Sequence, residues 1–168
     1  MKLRNHNKLN SSVYLILLLS LLVSVAVVCF IFWNSFQDGE TSNDFSGQIE
    51  KLLKQILNVD SDDGHFHEHV RKLAHFVEFC ILGCVCGCLM HLVKIIHGRY
   101  HIALGLLVVL SIAVIDEYIQ SFTGRTSLVK DILIDFAGGL LGFALISLIV
   151  LLCQWFKQKR VIKNDTSK

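Results

Sequence analysis

The chain has 168 residues, 53% hydrophobic and 18% charged, with no proline and a mean hydropathy of +0.56. Soluble domains carry about 25% charged residues and about 5% proline, so the composition excludes an ordinary soluble enzyme, a disordered chain and a collagen-like repeat. The 16 basic and 14 acidic residues leave a net charge of +2, which excludes a nucleic-acid-binding surface and shifts attention to where the charges lie.

The first element in chain order is the uncharged run 13–33, VYLILLLSLLVSVAVVCFIFW, long enough to cross a hydrocarbon core as a helix. It follows Lys2, Arg4 and Lys8 as a signal peptide would, yet it exceeds the usual apolar stretch of about 7 to 15 residues and no A-x-A cleavage pattern follows. It is expected to remain as an anchor. The loop 34–70 comes next, with eight acidic residues against Lys51 and Lys54. Within it Phe45, Ile49, Leu52, Leu53, Ile56 and Leu57 recur at helical spacing opposite Glu50, Lys51 and Lys54. That pattern predicts an amphipathic helix between spans one and two, lying on the leaflet or packed on the bundle. The loop ends in HFHEHV, where His65, His67 and His69 alternate. A solvated loop is the plain reading, and a weak zinc-type ligand set is the alternative, with no C-x-x-C or H-E-x-x-H frame beside it.

Three more apolar segments follow, 73–93, 102–121 and 132–156. Helices are expected because a span must satisfy its own backbone in lipid. The fold class is therefore all-α, an integral membrane four-helix bundle forming one domain over 1–168. Six cysteines, Cys29, Cys80, Cys84, Cys86, Cys88 and Cys153, all fall within spans. With Gly83, Gly87 and the Gly138-x-x-x-Gly142 pair they suit close helix packing better than redox chemistry. Basic residues dominate the N-terminal tail, the segment with Lys94 and Arg99, and the KQKRVIK tail. The positive-inside rule thus expects both termini in the cytoplasm and the acidic loop and Arg125 outside. No Walker loop, nucleotide signature or nucleophile elbow occurs.

The ionisable residues inside the spans are the functional signal. Arg71, Lys72, His75 and Glu78 open span two, Asp116, Glu117 and Gln120 close span three, and Lys130, Asp131 and Asp135 open span four. Residues 71, 75 and 78 share a helix face, as do 116 and 120, and 131 and 135. At 1.5 Å per residue Asp116 lies roughly 21 Å into a core about 30 Å thick, so all three clusters converge on the outer third of the bilayer. A carboxylate there costs on the order of 2 to 3 kcal/mol unless paired or wetted. Arg71, Lys72, Arg125 and Lys130 nearly balance the five carboxylates, so an ion-pair network that fixes register is one reading. A water-accessible polar pocket is the other, and intramembrane ionisable groups favour it.

These stretches, RKLAHFVEF (71–79), DEYIQSFTGR (116–125) and the segment from Lys130 through Asp131 and Asp135 to Gly138, together resemble the VanZ-like family of small bacterial membrane proteins. The resemblance covers 71–142, and the combination R-K-x-x-H-x-x-E, D-E-x-x-Q and R-x5-D is what makes it specific. Relatives usually carry tyrosine where this chain has Phe79, and often asparagine where it has Asp135. The resemblance implies a bacterial cell membrane and, because the name-giving member is linked to low-level teicoplanin resistance, an envelope role.

Three functions stay open at this point. In the first, Arg71, Lys72 and Arg125 engage an anionic group of a membrane lipid, wall precursor or glycopeptide, while His75, Glu78, Asp116, Glu117, Gln120, Asp131 and Asp135 complete the pocket. The second is an enzyme on a lipid-linked substrate, with Glu117 or Asp116 as general base, His75 as proton carrier and Glu78 beside it. No cofactor is expected for either, although His75 and Glu78 with Asp116, Glu117 or Asp135 form a minority divalent-metal set. The third is a structural partner subunit. No nucleic acid is expected as a partner.

Overall fold

The computed structural model describes residues 11–36, 64–123 and 129–165. They form four helices: α1 (Ser11–Phe36), α2 (Gly64–His97), α3 (Ile102–Phe122) and α4 (Val129–Asp165). All four are long and apolar enough to span a membrane, and the chain is a multi-pass membrane protein of all-α class. The amphipathic helix expected over 45–57 lies outside the described residues.

Three boundaries differ from the sequence reading. Helix α1 continues past Trp33 through Asn34, Ser35 and Phe36. The HFHEHV segment, read as a loop, belongs to the opening turns of α2, where Glu68 and Lys72 form an i, i+4 ion pair at 2.7 Å that suits a helix. The basic tail after Phe156 also continues α4 as far as Asp165, since nothing in it breaks a helix.

The most extensive helix contact is between α2 and α4, and small residues explain it. A Cβ added at Gly142 would collide with the Cys80 carbonyl, one at Gly83 with the Gly139 carbonyl, and one at Gly138 with the Phe76 carbonyl. Backbone therefore meets backbone, which is how helices without a solvent-driven hydrophobic force gain dispersion contact. The Cys84 thiol joins this seam by donating to the Gly142 carbonyl oxygen at 3.4 Å. All six cysteines are free.

Around that seam the core consists of Ile31 from α1, Phe79, Leu82 and Cys86 from α2, Val109 and Ala113 from α3, and Phe143 from α4. Among the described side chains of α1, Ile31 and Ser35 are buried, near its C-terminal end, while its leucines from Leu15 to Leu22 are mostly exposed. That outward apolar face suits lipid and would be ill placed in water. At the opposite end of the bundle α2 and α3 are joined by a tight turn. Gly98, at φ 72°, closes α2 there, and its N–H donates to the Lys94 carbonyl at 2.8 Å. Tyr100 follows, its hydroxyl 3.0 Å from His91 Nε2 and 3.1 Å from Ser147 Oγ, tying the turn to α2 and α4.

Candidate functional site

The antiparallel order of the helices brings the C-terminal ends of α1 and α3 beside the N-terminal ends of α2 and α4. Every polar cluster expected from the sequence that falls within the described residues sits at this end. His75, Asp116, Glu117, Gln120 and Asp135 are all buried, with Asp116 fully enclosed. Arg71, Lys72, Glu78 and Asp131 are partly buried around them. Arg125 lies outside the described residues, and Lys130 is exposed.

Asp116 is the hub. Gln120, one turn further along α3, donates from Nε2 to Oδ2 at 2.8 Å. Ser35 of α1 donates its hydroxyl to Oδ1. His75 Nδ1 lies 3.8 Å from Asp116 Oδ2 and 3.7 Å from Glu78 Oε2, so the imidazole stands between two carboxylates. Glu78 is held from the other side by the Asn34 amide, which donates to Oε1 at 2.8 Å. An imidazole flanked in this way can relay a proton or bind a cation.

Asn34 and Ser35 were missing from the sequence reading, which ended span one at Trp33. Neutral polar residues at the end of an apolar run carry no signal that separates them from the start of a loop.

The cations do not pair off as a simple count suggests. Lys72 bridges Glu68 at 2.7 Å and Asp131 at 3.4 Å. Among the described residues neither Arg71 nor Lys130 has a carboxylate within ion-pair distance. A small polar cleft opens over the cluster, lined by Arg71, Lys72, His75, Glu117, Gln120, Asp131 and Asp135 together with Ile134. Nine-tenths of the surface of His75, Asp116 and Asp135 is enclosed, and one donor atom of each lies within 4.8 Å of the others. His69 is exposed, and the His65 and His67 side chains lie outside what is described.

A family model described as VanZ/LLP1 matches residues 13–151, a stretch that takes in the first three spans, most of the fourth and the whole polar cluster. The chain belongs to the VanZ/LLP1 family. No curated protein and no solved structure matches it. For this VanZ/LLP1 protein the match extends the resemblance of 71–142 back through α1, the helix that supplies Asn34 and Ser35.

Proposed function

We propose that the cleft binds the anionic group of a cell-envelope ligand at the outer face of the bacterial membrane, and that this VanZ/LLP1 protein acts on envelope or glycopeptide susceptibility through that binding. The carrying observation is Arg71: it lines the cleft partly buried, and no carboxylate among the described residues lies within ion-pair distance of it. A guanidinium so placed has five donors and a fork suited to phosphate or carboxylate, and it binds them more strongly where water is restricted.

Lys72 adds a second positive charge at the same rim, steadied by Glu68 and Asp131. Gln120 and Glu117 line the deeper wall, where hydroxyl or amine groups of a sugar or peptide would find partners. The basic segments at the opposite end of the bundle support an outward-facing cleft through the positive-inside rule.

The test is the teicoplanin and vancomycin inhibitory concentration of a susceptible Gram-positive host expressing wild type, Arg71→Gln or Glu117→Gln at matched membrane levels. Wild type raises the teicoplanin value and both substitutions abolish the rise. Equal susceptibility with and without the wild-type protein contradicts the glycopeptide part of the proposal.

A further inference from the structure

Below the rim of the cleft lies a second kind of chemistry, on residues other than the Arg71 and Lys72 that carry the anion reading. His75, Asp116 and Asp135 come from three different helices, and each is at least nine-tenths buried. One ring nitrogen and one oxygen from each carboxylate fall within 4.8 Å of one another. Asp135 is the independent observation: only 2% exposed, it receives no hydrogen bond and no ion pair among the described residues. A buried carboxylate facing other carboxylates in lipid is costly unless a proton or a cation joins it, and a cation can join several at once.

The surroundings are those of a held ligand. Ser35 and Gln120 each donate to a different oxygen of Asp116, which fixes the plane of the carboxylate. Hydrogen bonds of that kind orient metal ligands and raise affinity. His75 Nδ1 is already 3.8 Å from Asp116 Oδ2. Donors about 2.0 to 2.2 Å from a tetrahedral ion sit roughly 3.4 Å apart, so closure needs movement on the order of 1 Å.

We infer that His75, Asp116 and Asp135 form a site for one divalent cation of the zinc or ferrous type. One imidazole with two carboxylates suits those ions better than magnesium or calcium, which prefer an all-oxygen shell. Three protein donors leave a coordination position toward the cleft, the arrangement of a catalytic rather than a structural site. The inference does not use Arg71: failure of cation binding leaves the anion cleft standing, and an unaltered anion affinity in Arg71→Gln leaves the cation site standing.

The experiment uses the full chain in detergent, treated with chelator and titrated with Co2+ as a spectroscopic probe, then with Zn2+ as competitor. Wild type takes up one Co2+ per chain with visible ligand-field absorption, and Zn2+ displaces it. Asp135→Asn and His75→Gln each weaken binding at least tenfold, and Ser35→Ala weakens it by about 10-fold through loss of ligand orientation. A triple variant, His65→Ala with His67→Ala and His69→Ala, retains the site. Helical circular dichroism and monodisperse elution check folding, and wild-type stoichiometry with the triple variant decides the matter where a core variant does not fold. Absence of stoichiometric Co2+ uptake by folded wild type overturns the inference, as does loss of uptake in the triple variant.

Discussion

The hydroxyl of Ser35 on α1 donates to Asp116 on α3, across 81 residues of sequence. With Gln120 on the other oxygen, this gives the fully buried Asp116 a donor at each side. The contact also explains why α1, which presents most of its length to lipid, is anchored at its C-terminal end.

Ser35→Ala removes that donor and leaves a buried carboxylate oxygen under-satisfied. The expected loss is about 1.5 to 3 kcal/mol, the range for hydrogen bonds to charged groups. Ser20→Ala is the control, since the Ser20 hydroxyl bonds the Ile16 carbonyl within its own exposed helix face, and it is expected to change stability by less than about 0.5 kcal/mol. Thermal unfolding of both variants in one detergent checks the difference.

Gly142→Ala places a methyl group against the Cys80 carbonyl, where only backbone can yield. Separating α2 from α4 to admit it costs about 1 to 3 kcal/mol or more. Gly87→Ala meets instead the Ile146 Cβ at 3.2 Å, a contact that a shift of a few tenths of an ångström relieves, and its loss is smaller. Melting temperatures of the pair test whether backbone contact or mere smallness holds the seam.

How much of this was legible before the structure depends on the kind of signal. The four helices follow from hydropathy, because lipid allows few other ways to bury a backbone. The residues of the polar cluster were legible because charge inside an apolar run has no bland explanation in composition. Asn34 and Ser35 were not, since neutral polar residues at the end of a span look the same as the start of a loop. Nor could spacing show that Lys72 is shared between Glu68 and Asp131 while Asp135 receives no partner among the described residues. That division depends on how three helices meet.

An outward-facing cleft predicts a labelling pattern. In a background lacking the exposed Cys29, Cys88 and Cys153, a cysteine placed at exposed Lys130 reacts with a membrane-impermeant maleimide in intact cells. One placed at exposed Arg99, at the other end of the bundle, reacts only after permeabilisation. The reversed pattern contradicts the orientation.

The anion-binding role of Arg71 is tested most directly by titrating the protein, reconstituted in nanodiscs of zwitterionic lipid, with a polyprenyl phosphate and with its uncharged alcohol. Wild type binds the phosphate and discriminates against the alcohol, while Arg71→Gln loses that discrimination and keeps its helical circular dichroism and monodisperse elution. Equal binding of phosphate and alcohol by wild type, or undiminished phosphate affinity in Arg71→Gln, contradicts it.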